Sequence, residues 1–276
     1  MKPEDPRREY HLEVTRPAAA PALLAEHTGL SKGQIKRAMA QGALWLERQG
    51  SVRRLRRAAR ALRPGDRLHL YLDPRIQAAE PPRPELVHDQ GEWSVWYKPA
   101  GLFAQGSRWG DHWSLVRQAE LALGRSTYLI HRLDRAASGL MLVAHGRDAS
   151  RLLSAQFRKR QVEKCYHVIV KGPFPEGWLH IDLPVEGRSA HSQARRIAYG
   201  GERSLLAVRI TTGRKHQIRR HLAALGYPVV GDRSYGGGTE EDLRLQAVGL
   251  AFHWQGRQWR FSLPRRWRLA EAFGNP

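Results

Sequence analysis

Residues 126–144, STYLIHRLDRAASGLMLVA, decide how the rest of the chain is read. Tyr128, Leu129 and Ile130 lead in, and Leu140, Met141, Leu142 and Val143 lead out; both are short apolar runs of the kind that fill a sheet interior. The loop between them is therefore held at both ends. It presents His131, Arg132 and Asp134, then turns at Ser138 and Gly139. An acid beside a fixed guanidinium is held ionised, and such a carboxylate can serve as nucleophile or base at neutral pH. Taken alone, the stretch is more often an exposed Arg/Asp pair in a surface turn, a commonplace arrangement.

HRLDRAASGL resembles the catalytic loop of the RluA-type pseudouridine synthases, which reads HRLD, two variable residues, then Thr-Ser-Gly. Three further blocks follow in that family's order: YKPAGL at 97–102, RKRQVEKCYHVIVKG at 158–172 and GRKHQIRRHLAALGYPVVGDRSYG at 213–236. The resemblance spans most of residues 88–265. It implies an α+β fold, with a mixed, mostly antiparallel sheet carrying helices in the catalytic domain. It also implies an isomerase that detaches uracil from ribose, turns it and rejoins it through carbon, with no cofactor and no metal. Asp134 is then the catalytic carboxylate, as nucleophile or base, and Arg219 its partner. Tyr166, after Lys-x, lies against the flipped base, and Arg132 fills the gap that the base leaves. His131, Arg214, Lys215 and His216 belong to the RNA-binding surface. The YKPAGL block shapes the floor, and Lys98 is assigned no chemistry. One departure stands out: the family's threonine is Ala137 here. If its hydroxyl only caps the turn, the loss is about 1 kcal/mol.

Composition points the same way. Forty-six Lys and Arg against 26 Asp and Glu give a net charge of +20 over 276 residues, a field that attracts polyanions. RNA is the expected partner, bound less tightly as salt rises; the resemblance implies ribosomal RNA or transfer RNA, with ribosomal RNA favoured because of the extra N-terminal binding module. An anionic membrane surface is the competing reading, but no long apolar run or amphipathic anchor supports it. MKPEDPRREY lacks an apolar signal core, and the single Cys165 excludes an internal disulfide framework, so a cytoplasmic monomer without an obligatory protein partner is expected.

The length suits a catalytic domain plus one small module. Residues 1–10 are read as a flexible tail, 11–72 as a small N-terminal α/β RNA-binding domain, 73–87 as a Pro-rich linker and 88–276 as the catalytic domain. Ser31 and Gln34 stand at capping-box spacing before a short helix in which Ile35 and Met39 form an i, i+4 pair. Strands are expected at 43–46 and 67–72. Residues 48–67 hold eight arginines and one acid, a run that repels itself unless a polyanion neutralises it. The segment resembles the alpha-L RNA-binding domain found in a ribosomal small-subunit protein. Lys32, Lys36, Arg37, Arg53, Arg54, Arg56 and Arg57 are its candidate RNA contacts.

Further on, a strand is expected at 93–97 and a helix at 111–123. Asp148 is placed to cap a helix to Arg158, with Leu152, Leu153 and Phe157 facing the core. Tyr166 shares one face of a strand with Val162, Lys164, Val168 and Val170. A helix over 215–225 buries Ile218, Leu222 and Leu225; Arg219 lies at the edge of that stripe and Arg220 points away. Strands at 247–254 and 258–263 close the sheet. Two rivals remain at this point: a metal-dependent hydrolase built from His131, Asp134, His191, His216 and His221, which lacks helical ligand spacing, and a catalytically inactive RNA-binding or ribosome-assembly protein on the same fold.

Overall fold

The structure, a computed structural model, describes residues 6–78 and 80–273, apart from the side chain of Ala272. The chain divides into two units. The first is Met1–Pro81 together with Gln105–Gln118, and the second is Pro82–Ala104 with Ala119–Pro276.

In the first unit, strands β1 (Arg8–Glu13), β2 (Leu44–Arg48), β3 (Ser51–Arg54) and β4 (Arg67–Leu72) form an antiparallel sheet in the order β1-β4-β2-β3. Helices α1 (Ala20–Thr28) and α2 (Lys32–Ala40) pack with it. The core is apolar and closed, with Leu24, Ile35, Met39, Leu44, Leu68 and Leu70 fully buried. Each such side chain contributes roughly 1.5–3 kcal/mol of burial. The expected capping box is present: the Ser31 hydroxyl accepts from the Gln34 amide at 3.2 Å, and Gln34 Oε1 accepts from the Ser31 amide at 2.9 Å. Residues 1–5 lie outside the described residues, but the tail assigned to 1–10 stops short of its assigned end, because Arg8 onward pairs with β4. The stretch 73–87 is not extended throughout. Asp73 caps a helical turn, α3 (Pro74–Gln77), and a strand begins at Glu85.

The second unit is built on a sheet of ten strands. These are β5 (Glu85–Asp89), β6 (Trp93–Lys98), β7 (Tyr128–Leu129), β8 (Ser138–Ala144), β9 (Glu163–Lys171), β10 (Trp178–Ile181), β11 (Ser192–Gly200), β12 (Arg203–Ile210), β13 (Leu245–Trp254) and β14 (Arg257–Ser262). The order is β10-β11-β12-β9-β13-β8-β6-β5, with β14 paired to β13 and β7 to β8. Among the described strands only β8 and β13 run parallel. The mixed, mostly antiparallel α+β architecture is the expected one. Helices α4 (Leu115–Leu123), α5 (Arg147–Arg158), α6 (Gln217–Ala224) and α7 (Leu269–Phe273), with a short 3-10 turn at Arg265–Trp267, complete the described helices. No helix among the described residues is long and apolar enough to cross a membrane.

Two helix details differ from the sequence reading. Gly146, not Asp148, is the N-cap of α5, and Leu152 is exposed while Leu153 is buried. In α6, Ile218 and Leu222 are buried but Leu225, just past the last turn, is 36% exposed. The shifted cap and Leu225 are end effects, since helix bounds drawn from a pattern miss by a residue or two. Leu152 is mid-helix, and it lies about 100° round from Leu153, off the stripe that Ala149 and Leu153 bury.

Candidate active site

The Asp134 loop is assembled from below. Where β8 begins, Gly139 at φ +120° runs beside β13, and a Cβ there would lie 2.2 Å from the Ala247 carbonyl oxygen. Only glycine allows that approach. Upstream, His131 stacks on Phe157 at 4.4 Å, and its Nε2 accepts the Leu142 amide at 3.0 Å. Burial, reinforced by the Lys164 charge, pushes the His131 pKa down to about 3, so the ring is neutral. His131 is thus a buttress of the loop, and its expected place on the cationic RNA surface is corrected. The Ala137 amide donates to the Asp134 carbonyl at 3.2 Å, and the Ala137 methyl is buried. The backbone turn therefore closes without the hydroxyl that the family's threonine supplies.

Lys98 anchors the floor. Fully buried, its Nζ donates to the carbonyls of Leu102 at 2.8 Å, Pro99 at 3.0 Å and Arg135 at 3.3 Å. Burial pushes its pKa down to about 7 against the pull of Asp134. One of its three acceptors sits next to Asp134, so it ties the KPAG turn to that loop.

From the other side comes α6. Arg219 is 7% exposed, and its Nη1 donates to Asp134 Oδ2 at 3.2 Å. Its Nε and Nη2 both donate to Asp232, each at 2.7 Å. Asp232 is buried and also accepts the Ser234 amide at 3.0 Å. Burial pushes the Arg219 pKa down, but the Asp232 carboxylate, with Asp134, raises it above its ordinary value. Conversely, burial pushes Asp232 up, and Arg219 more than offsets this, so its carboxyl lies below its usual range. The loop holding Asp232 is fixed by Gly237, whose Cβ would fall 1.7 Å from the Val229 carbonyl oxygen. Asp232 is a clamp that the sequence reading does not single out, although its GD pair lies inside the block at 213–236.

His216 precedes α6 in the left-handed region at φ 56°, with Nδ1 hydrogen-bonded to the Tyr235 hydroxyl at 3.0 Å. Its Nε2 lies 3.8 Å from Asp134 Oδ1. Burial lowers its pKa despite Asp134. Tyr235 also accepts from Arg220 Nε at 2.8 Å and stands under the Arg219 guanidinium at 5.1 Å. Arg220, pointing away from the stripe as expected, reaches Glu186 at 2.7 Å.

These groups surround a cleft of 730 Å³. Asp134 lies in it with its side chain 21% exposed. Tyr166 lines the same cleft, 8% exposed, its hydroxyl pKa raised by burial and then by Asp134. Arg132, Arg214 and Lys215 are further lining residues, Arg132 and Lys215 exposed and Arg214 donating to the Ser189 carbonyl at 3.1 Å. The expected triad of Asp134, Arg219 and Tyr166 is brought together, and so are Arg132, Arg214 and Lys215, with His216 beside Asp134. Among the described residues no three His, Cys, Asp or Glu side chains converge where a metal could be held. His191 instead faces Asp182 at 2.6 Å, and His221 faces the Leu183 carbonyl at 2.9 Å.

In the first unit, Lys32, Lys36 and Arg37 are exposed on α2, and Arg53 and Arg57 are exposed as well. Arg54 and Arg56 are differently employed. Both pair with Asp111; Arg54 also donates to Ser107 O at 2.7 Å and covers Trp45 at 4.2 Å, and Arg56 donates to Ala40 O at 3.0 Å. Arg48 is clamped to the buried Asp66 by two bonds of 2.7 Å. The arginine run is therefore part scaffold, and treating Arg54 and Arg56 as free RNA contacts is corrected.

A carboxylate aimed by an arginine at the base of a cleft whose rim is cationic, in a chain of net charge +20, defines an enzyme acting on a polyanion. The RNA pseudouridylate synthase family model matches residues 92–224. A relative in Chloroflexus aurantiacus, an uncharacterized RNA pseudouridine synthase, is 33% identical over 265 residues, covering 85% of this chain and 82% of the relative. The dual-specificity RNA pseudouridine synthase RluA of Vibrio vulnificus is 29% identical, covering 66% of this chain and 82% of its own. In fold, the chain is similar to human RNA pseudouridylate synthase domain containing 1, with a TM-score of 0.59 and 21% identity over 68% of this chain and 86% of that one. The chain belongs to the RNA pseudouridine synthase family, isomerases that convert uridine in RNA to pseudouridine.

Proposed function

We propose that Asp134 is the carboxylate that carries out this isomerisation, on uridines in structured RNA. The observation that supports it is the chain of grips from Asp232 through Arg219 to Asp134, which holds one carboxylate in the cleft beside Tyr166. The reaction breaks the bond between uracil N1 and the ribose and makes one from C5, which gives up its proton while N1 gains one. Nothing is oxidised. Asp134 acts on the glycosidic carbon or on the neighbouring ribose proton, and Arg219 orients it by a charge-assisted hydrogen bond. A uridine must leave its stack to reach the cleft; the Tyr166 ring packs against it there and Arg132 fills the space it vacates.

Ribosomal RNA is the favoured substrate, because the first unit offers a second cationic surface for a large folded RNA. Exposed Lys32, Lys36, Arg37, Arg53 and Arg57 hold it there by phosphate contacts. Among the relatives, RluA of Vibrio vulnificus is named dual-specificity, and a Vibrio cholerae relative, 30% identical, is named for the ribosomal large subunit. The working form is a cytoplasmic monomer. The test is to map pseudouridines across total RNA with and without this gene, then with Asp134→Asn restored. Sites that vanish with the gene return with the wild type and not with Asp134→Asn, while RNA affinity of that variant stays within a few fold. Full activity of Asp134→Asn overturns the assignment.

A further inference from the structure

The face of the large sheet opposite Tyr166 carries a cationic, aromatic patch that the reaction does not use. Antiparallel pairing puts Trp178, Arg195, Ala207 and His167 in one row across β10, β11, β12 and β9, and His180, Gln193, Arg209 and Cys165 in the next. Opposed residues share a face and successive residues alternate. Arg209, opposite Cys165, therefore faces away from the side that Tyr166 serves. The Arg195 and Arg209 guanidiniums lie 5.1 and 4.9 Å from the Trp178 ring centre, and the indole is still 38% exposed. Both arginines are exposed, and neither makes a hydrogen bond or ion pair among the described residues. The acids nearby are engaged elsewhere: Glu163 by Arg260 at 2.8 and 3.1 Å, Glu176 by Arg196 and Asp182 by His191. Two cations drawn to one indole repel each other; Glu163, the acid that acts on Arg209, is held by Arg260, and an added anion relieves the repulsion.

A second cavity, of 370 Å³, includes Arg209 of this patch and adjoins the Asp134 cleft. It shares Arg160, Lys164, Ile210 and Thr211 with the cleft, and its opposite wall includes His180, Gln193 and Arg209. It passes round the strand ends, where β9 begins and β12 finishes. Lys164, whose pKa burial pushes down to about 8, lines both cavities.

We propose that this cavity and patch bind the single-stranded RNA flanking the target uridine, with phosphates on Arg209 and Arg195 and a base stacked on the exposed part of Trp178. The proposal rests on the reading of the Asp134 cleft as the uridine site. Charge complementarity selects the occupant. A strand leaving a cationic cleft follows unpaired cations and finds an aromatic face, the pairing that single-strand binders use.

The test uses the full chain carrying Asp134→Asn and labelled oligouridylates of about three to twelve nucleotides, a range set by single-strand site sizes. Affinity rises with length in this protein. Trp178→Ala lowers affinity for the longer strands roughly tenfold, leaves the shortest unaffected, and is largely rescued by Trp178→Phe, which keeps a stacking face. Arg195→Gln with Arg209→Gln flattens the slope of log affinity against log salt by about 1.4, at about 0.7 per single-strand contact. An unchanged length dependence and salt slope in all three variants overturns the proposal. Wild-type activity is measured alongside on cellular RNA. A wild type that makes no pseudouridine overturns the cleft reading and the proposal with it, whereas an active wild type whose variants bind normally overturns the proposal alone.

Discussion

Asp232→Asn removes one charge from the buried end of the Asp134–Arg219–Asp232 chain and changes almost no volume. In the wild type, both guanidinium nitrogens of the Asp232 contact donate at 2.7 Å, against 3.2 Å for the single bond to Asp134. The buried clamp, not the reacting carboxylate, therefore sets where Arg219 sits. Asparagine keeps one acceptor and presents an amide N–H₂ to the other donor, leaving a cation that is 7% exposed with one full partner. Breaking a buried pair from one side costs about 3–5 kcal/mol, a large share of the roughly 5–15 kcal/mol that holds a domain folded. Arg219 then moves toward Asp134, and a displacement of about 1 Å in a positioning group costs on the order of 100-fold in rate. The pH sign follows from Asp232's lowered pKa. Its stabilisation is complete above the unfolded value of about 3.9 and is lost as pH falls through the folded value. Urea unfolding at pH 7 therefore separates wild type from Asp232→Asn, and the two converge in acid. Release of tritium from uridine C5 measures the rate. Stability within about 1 kcal/mol of wild type at pH 7, together with an unchanged rate, refutes the clamp.

Tyr166→Phe keeps the ring that lines the cleft and binds RNA nearly normally, whereas Tyr166→Ala loses binding and turnover; equal behaviour of the two, by filter binding and tritium release, sinks the stacking role. His131 titrates at about 3 when folded and about 6.5 when unfolded, so its contribution is full above pH 6.5 and declines as pH falls through that window. The difference in unfolding free energy between pH 7 and pH 5 should shrink by about 2 kcal/mol in His131→Asn, and an unchanged difference contradicts a buried neutral ring. Arg53→Gln with Arg57→Gln should flatten the salt dependence of RNA binding by about 0.7–0.9 for each phosphate no longer neutralised, without changing the melting temperature. Arg54→Gln should instead lower the melting temperature, since it strips donors from Gly42, Ser107 and Asp111; the reverse pattern overturns the division of the arginine run.

Much of this architecture is legible in residue order alone. Strands β4 and β9 announce themselves by alternation, β8 by a continuous apolar run, β6, β13 and β14 by their apolar and aromatic content, and α2 by its capping box, because those signals are local. Asp134, Arg219 and Tyr166 are visible through motif resemblance, and Arg219 also through its angle on a helix. Asp232 is not. Its role depends on a contact with Arg219 across an irregular loop held by glycines, and no period connects the two. His131 misleads because a histidine beside an arginine looks cationic, while its burial against Phe157 is a tertiary fact. Strand β1 is hidden for a similar reason: REYHLE is polar on its open face, and only pairing with β4 makes it a strand. The patch around Trp178 is invisible in residue order because its members come from three strands brought into register by the sheet.

The membership of Gln105–Gln118 in the first unit bears on how such a protein can be divided or recombined. Asp111 is the counter-ion of Arg54 and Arg56, Trp109 meets Tyr71 edge-on at 5.6 Å, and the Trp45 indole donates to the Arg108 carbonyl at 3.0 Å. The small unit is thus written in two places in the chain, with a piece of the catalytic unit between them. Cutting at residue 80 does not release a catalytic half. It severs a folded body from its own second segment and strands an acid and two tryptophans without their partners. Likewise, a graft of this unit onto another synthase has to carry both segments, so the portable module is one body in space and two in the sequence.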